Sequence, residues 1–346
     1  MSRSQTASTQ IDEATCIFGA GVLLKHLAVL EEQAAGIRDK NNDIEFVHQA
    51  RVASRRLRAA VPLFVSCLPH KKARGWQKQM RTVTRALGAA RDTDVQIEAL
   101  EAFAQSAIEP RFKPGINRLL LRLRQKHIQL QAPLSKVIKQ LDESHLFAEM
   151  RDRLEPLARN EGEVYIFTPV LYQHSFHSIS ARLDELIAYE GIIQDPQKIV
   201  ELHEMRIRAK QLRYTLETFA PLYANQLKPF LLAVRKTQEM AGEIHDCDVW
   251  QELLPIFLEE ERQFILSYFG HLRPVKRLIP GIQAFSEDRR AAREAEYTGL
   301  IDHWQMGLAS GLWDDLRKTL QKPLFQTDSI YPPAPAAENN PITFLS

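Results

Sequence analysis

The chain is short of the residues that mark several large classes of protein. Only three cysteines, Cys16, Cys67 and Cys247, occur in 346 residues. They are far apart and show no paired spacing, so neither a disulfide framework nor a zinc site is expected, and a reduced, cytoplasmic setting is the simplest one. The longest uncharged apolar stretch near the start, from Ala14 to Leu24, follows Asp12 and Glu13. It falls well below the roughly 20 residues that a membrane helix needs, and it lacks the basic flank and cleavage site of a secretory signal. It reads as part of a core helix, and no membrane partner is expected. Fourteen glycines and the lack of β-branched alternating runs bounded by turns leave strands with little support.

Acidic residues are missing from one long window. Formal net charge is only +2, yet from His48 through Arg91 there are eleven Lys or Arg and no Asp or Glu. That window carries +11 and the rest of the chain −9. Charge segregated in this way sets up a local field that the net figure hides, and it points to a polyanionic partner.

What is present is helical. With 45% apolar and 25% charged residues, the chain can build one large or two modest cores. Apolar residues recur at spacings of three and four along most of it. Helix starts are expected at Asn42 or Asp43 and at Asp195–Pro196, where a side-chain oxygen can cap free amides and proline suits the first turn. Stops are expected near Pro69, Pro110, Pro221 and Pro274. The proline-rich end from Pro332 and the first dozen residues read as flexible.

The chain also repeats itself. FVHQARVASRRLRAAVPLF at 46–64 aligns with ELHEMRIRAKQLRYTLETF at 201–219 at an offset of 155, and LGAARDTDV at 87–95 with AGEIHDCDV at 241–249 at an offset of 154. Two blocks in the same order imply an internal duplication. The expected layout is a flexible start (1–14), a first helical half (15–160), a second half (161–320) and a flexible tail (321–346), with the joint near Glu161 to Pro169.

Helical phase sorts these blocks into faces. Counting 100° per residue from His48, Arg51, Arg55 and Arg58 fall within roughly 80° on one side, with Leu57, Val61 and Phe64 behind. His203, Arg206, Lys210 and Arg213 form the same stripe, with Leu212, Leu216 and Phe219 behind. In the next helix of the first half, Lys71, Arg74, Lys78, Arg81 and Arg85 keep to one face. Its counterpart is diluted: Lys228 and Arg235 match Arg74 and Arg81, but Leu232 and Glu239 match Lys78 and Arg85. Like charges at these spacings destabilise an isolated helix by a few tenths of a kcal/mol per pair, and solvated faces ordinarily mix both signs. Phosphate suits such stripes, because arginine binds its oxygens in pairs and lysine adds a mobile charge. His48 and His203 add donors whose charge depends on pH.

The paired blocks VHQARVASRRLR with LGAARDTDV, and LHEMRIRAKQLRY with AGEIHDCDV, resemble the CHAD family, named for a conserved-histidine α-helical domain. The resemblance spans roughly residues 15 to 320. It implies an all-α fold of two pseudo-twofold-related four-helix bundles, with a basic groove or pore between them that binds inorganic polyphosphate. It would carry binding to His48, Arg51, Arg55, Arg58, His203, Arg206, Lys210 and Arg213, with Arg81 and Arg235 from the next helices. The stripe count adds Arg74, Lys78 and Arg85. Lys210 and Gln211 stand where the first half has Arg55 and Arg56, and His245 replaces Arg91, which weakens the second half as a binder.

Rival readings are an enzyme and a nucleic-acid binder. His245, Asp246 and Asp248 with His203 can be drawn as a metal phosphohydrolase centre. The first half offers Arg91, Asp92 and Asp94 at the same place, so the shared feature is Asp-x-Asp, better suited to holding arginines or capping a helix. Nucleic acid attracts the same cations, but single-strand binders add aromatic platforms; here Trp76 and Tyr214 lie near the basic segments, but most of the 28 aromatic residues are not interleaved with the stripes. The expectation is a non-enzymatic polyphosphate binder without metal or cofactor, cytoplasmic and compatible with polyphosphate granules; nucleic acid is the alternative partner, and oligomeric state is left open.

Overall fold

The computed structural model describes residues 11–39, 44–106, 109–159 and 167–325. Within them the chain forms ten α-helices: α1 (Glu13–Asp39), α2 (Ile44–Leu63), α3 (His70–Gln105), α4 (Lys113–Glu143), α5 (Leu146–Ala158), α6 (Pro169–Ile187), α7 (Ile199–Phe219), α8 (Lys228–Phe269), α9 (Val275–Ala309) and α10 (Leu312–Phe325). Short 3-10 turns at Val65–Cys67 and Ala220–Tyr223 follow α2 and α7. No strand occurs among the described residues. Each half supplies four long helices closed by a short fifth, α5 or α10.

The expected boundaries fare unevenly. Asn42 and Asp43 lie outside the described residues, as do 1–10, 160–166 and 326–346. Of the ends expected to be flexible, Glu13 and Ala14 begin α1, and residues 321–325 complete α10. The second repeat helix starts at Ile199, after Asp195. There the Asp195 carboxylate accepts from Gln197 N (2.9 Å) and its carbonyl from Lys198 N (3.2 Å). Asp195 thus closes a turn in place of a cap, as short acidic side chains readily do. Pro69 and Pro274 stand at the starts of α3 and α9, where a missing N–H costs nothing.

Packing follows the phases. Leu57 and Val61 on α2, Phe64 just after it, and Leu212, Leu216 and Phe219 on α7, are buried. Full burial of such side chains contributes about 1.5–3 kcal/mol each. α1 is the one described helix long and apolar enough to cross a membrane, but Leu23, Leu27, Leu30 and Ile37 are buried within the fold. One core runs through both halves. At its centre Phe18 of α1, Phe64 just after α2, His174 of α6 and Phe219 of α7 meet ring to ring with centroids 5.8–6.1 Å apart. Gly19 is required beside them, because a Cβ there would collide with the Phe64 ring. His174 Nε2 also lies 2.7 Å from the Leu63 carbonyl, an otherwise orphaned acceptor at the end of α2.

α3 and α8 are 36 and 42 residues long, about 54 and 63 Å at 1.5 Å per residue, and overrun the main core. Their far parts join α4 and α9 around a second core that includes Leu119, Leu123, Trp250, Phe257 and Phe285. α4 crosses α9 backbone to backbone: a Cβ on Gly115 would strike the Leu278 carbonyl, and one on Gly281 the Phe112 carbonyl.

The cysteines behave differently from their expected reading. Cys16 and Cys67 form a disulfide, with Cα atoms 5.3 Å apart at a sequence separation of 51. No short spacing marks the pair, because packing alone brings the start of α1 against the turn after α2. Cys247 is free and buried.

Candidate functional site

α2 packs against α7, so the two cationic stripes meet. Arg51 Nη2 donates to Asp92 Oδ1 on α3 at 2.8 Å, and Arg206 Nη2 lies 3.9 Å from Asp246 Oδ1 on α8. These are matching positions of the two repeat blocks. The glycine of each block, Gly88 or Gly242, stands beside the guanidinium: a Cβ would sit 4.0 Å from Arg51 Nε or 3.5 Å from Arg206 Nε. An added methyl would make only ordinary contact there, so each arginine packs closely over a small residue without requiring glycine. Both Nε atoms are buried without a hydrogen-bond partner, which leaves donors unused where an unmet group is costly.

The electrostatics bind the halves into one site. Arg55 repels Arg51 and Arg58 on its own helix and Arg206 and Lys210 across the interface. Burial, then repulsion from Arg206, Arg55 and Arg51, depresses the Lys210 ammonium to about 6. Burial also lowers the pKa of Arg51, with repulsion from Arg55 adding to it, and that of Arg206, against the pull of Asp246. Burial raises the Asp246 carboxyl despite Arg206. Cations crowded closely enough to weaken one another's charge gain most from an incoming anion.

The remaining expected residues divide. Arg58 is within the electrostatic reach of Arg81 and Arg85, so α3 extends the cluster on the first-half side. Arg74 and Lys78 are exposed farther toward the start of α3. In the second half Arg235 pairs with Glu239 at 2.8 Å. Arg213 lies 3.3 Å from Glu217 and over the Tyr214 ring, 5.0 Å from its centroid. His48 is half-buried on α2. His203 Nδ1 approaches His245 Nδ1 to 3.0 Å, and burial, then Arg206, pushes the His245 imidazole down to about 4.

Two ion pairs at the site were not expected from sequence. Arg56 Nε donates to Glu217 Oε2 at 3.0 Å, joining α2 to α7. The available signal was Glu217 standing where the first half has Pro62. Arg91 pairs with Glu98 at 2.8 Å, which draws one cation of the acid-free window aside.

The Asp-x-Asp blocks tie three helices together. The first aspartate reaches back to α2 or α7, as above. The second reaches forward: Asp94 Oδ1 lies 2.7 Å from His127 Nδ1 on α4, and Asp248 Oδ1 accepts from Arg293 Nε on α9 at 2.5 Å. Asp94 and Asp248 are buried. Among the described residues no group of three or more His, Cys, Asp or Glu is disposed to hold a metal ion.

These features define an all-helical protein whose halves share a cluster of partly buried arginine and lysine. The CHAD domain family model matches residues 21–255, and the chain belongs to the CHAD family. Its structure is similar to the crystal structure of the CHAD domain from the plant Ricinus communis, at 22% identity over 83% of this chain and 91% of that one, with a TM-score of 0.60. It is also similar to PptA from Streptomyces chartreusis, at 15% identity over 83% of this chain and 98% of that one, with a TM-score of 0.51. At these identities the likeness is one of fold. Among curated proteins none matches.

Proposed function

We propose that this protein binds long-chain inorganic polyphosphate, without hydrolysing it, in the cleft where α2 meets α7. The observation that carries the reading is that Arg51, Arg55, Arg206 and Lys210, from two halves of the chain, lie within mutual electrostatic reach. Asp92 and Asp246 offset them only in part, and two buried guanidinium nitrogens have no partner. A chain of phosphates supplies closely spaced acceptors for all four cations and continues along Arg58, Arg81 and Arg85. The repeated element order and matching Arg–Asp contacts support reading the halves as copies, with the first as the stronger binder.

Nucleic acid fits this cleft less well. Trp76 and Tyr214, which lie near the basic segments, are both buried, and unspecific single-strand binding leans on exposed rings. Residence in the cytoplasm or on granules belongs to the same proposal, and the Cys16–Cys67 bond is the feature that argues against it.

The test is titration with polyphosphates of graded length over a salt series. Affinity rises with length as one polymer engages both halves and falls steeply with salt as counterions are released. The triple variant Arg51→Glu, Arg55→Glu, Arg206→Glu loses at least about 100-fold, equivalent to ~2.7 kcal/mol, with helix content kept. Unchanged affinity in the folded variant sinks the proposal. Tighter binding of single-stranded nucleic acid at matched charge transfers the site to that partner, and release of orthophosphate reopens the enzyme reading.

A further inference from the structure

Arg262 to Ser286 forms a second acid-free window, with Arg262, Arg273, Lys276 and Arg277 and no Asp or Glu. It covers the end of α8, the connecting turn and the start of α9, and it lies beyond the residues matched by the family model. Unlike the cleft, this apex is rich in exposed apolar side chains: Tyr268 is 74% exposed, Phe269 52%, Phe264 46% and Leu266 43%. Phe264 and Tyr268, one turn apart, stack with centroids 6.3 Å apart. Leu266 and Phe269 occupy another side of the helix.

This helix end shows exposed apolar side chains on two sides, with exposed Gln263 and Ser267 between them on a third, which calls for surroundings that reach around it, whereas a partner lying in a groove covers one stripe. Buried contacts of Ile265, Val275 and Leu278 hold the two helices of the hairpin together beneath the exposed rings. Arg118 and Arg122 of α4 are engaged by the buried carboxylate of Glu261 and lie over the Phe264 ring at 5.5 and 5.0 Å. The exposed cations at the apex are thus Arg262, Arg273, Lys276 and Arg277. Two such basic apices would repel each other, which disfavours a second copy of this chain as the occupant.

We infer that the α8–α9 apex docks peripherally on an anionic lipid surface, with Tyr268, Phe269, Phe264 and Leu266 entering the headgroup–acyl boundary and the four cations meeting lipid phosphates. From Phe264 to Phe269 the helix advances about 7.5 Å, within the roughly 5–10 Å depth of interfacial helices. Exposed Glu259 and Glu260 lie just behind Phe264 and set the limit of entry. The contact needs no spanning helix, and it is separate from the α2–α7 cleft, which remains open to polyphosphate.

The test is co-sedimentation of the full chain with phosphatidylglycerol–phosphatidylcholine vesicles and with phosphatidylcholine vesicles alone. Wild type binds the anionic vesicles at least about tenfold more tightly. The double variant Tyr268→Ser, Phe269→Ser loses about tenfold or more on them, with helix content and polyphosphate affinity kept. Arg51→Glu with Arg55→Glu behaves oppositely, losing polyphosphate and keeping the vesicles, so failure of either proposal is distinguishable from failure of the other. In Phe269→Trp, the indole emission shifts to the blue on anionic vesicles. Equal vesicle binding by the Tyr268→Ser, Phe269→Ser variant overturns the inference, as does an apex-dependent dimer in the absence of lipid.

Discussion

Phe64, just after α2, and Phe219, the last residue of α7, at matching positions of the two repeat blocks, lie with ring centroids 5.8 Å apart at the centre of the core. The contact sets the separation of the helices that carry Arg51, Arg55, Arg206 and Lys210, so apolar packing on one face determines how closely like charges approach on the other. Burial of these rings and their neighbours offsets the repulsion. Stability and the spacing of these cations are therefore coupled through α2 and α7.

Phe64→Ala is expected to cost about 3–5 kcal/mol, the range for emptying a large buried aromatic site, and to weaken polyphosphate binding. Denaturant unfolding and titration of the folded variant measure the two. Full affinity in a folded, destabilised Phe64→Ala protein would show that the core does not register the cleft.

Polyphosphate affinity is expected to rise as pH falls toward 6. Free Lys210 titrates near 6 against an ordinary 10.5, facing Arg206, Arg55, Arg51 and Asp246. A bound anion favours the protonated form and lifts its pKa, so binding takes up a proton above pH 6. In the free protein the sign is the reverse: as pH falls from 10.5 toward 6 the unfolded chain binds a proton that the folded chain refuses, so this group lowers stability over that window and adds no further loss below it. Lys210→Arg keeps the charge at every such pH and flattens both profiles. A wild-type affinity independent of pH between 6 and about 9 would exclude Lys210 from the site.

The two aspartates of each block are expected to differ. Asp248→Asn leaves Arg293 largely buried without its charge partner, and it should destabilise the fold by about 3 kcal/mol, with affinity little changed. Asp92→Asn removes an exposed partner, costs under about 1 kcal/mol and tightens binding a few-fold at low salt as an opposing charge leaves. Reversal of this order in paired unfolding and binding measurements would refute the assignment.

Reduction of Cys16–Cys67 is expected to lower stability by about 3–4 kcal/mol, the scale for releasing a loop of this length, without moving affinity. Thermal unfolding with and without a thiol reductant checks it, with the Cys16→Ser, Cys67→Ser variant as control. Trapping both thiols by alkylation in freshly lysed cells would place the protein in a reducing compartment.

The sequence by itself determined the helices and their faces, because a period of 3.6 residues is a local property: Leu57 and Phe64 had to turn one way and Arg51 and Arg55 the other. Its repeat also matched Arg51 with Arg206 and Asp92 with Asp246. Only the tertiary structure decided which faces meet. Arg56 looked like a member of the cationic surface, yet Glu217 of α7 lies beside it across the helix interface. Asp94 and Asp248 turned toward α4 and α9, and Cys16 found Cys67. These outcomes depend on helix crossings set by packing between distant segments, at Gly115 and Gly281 and around Phe64 and Phe219. No local period records which residue across such a crossing a side chain will touch.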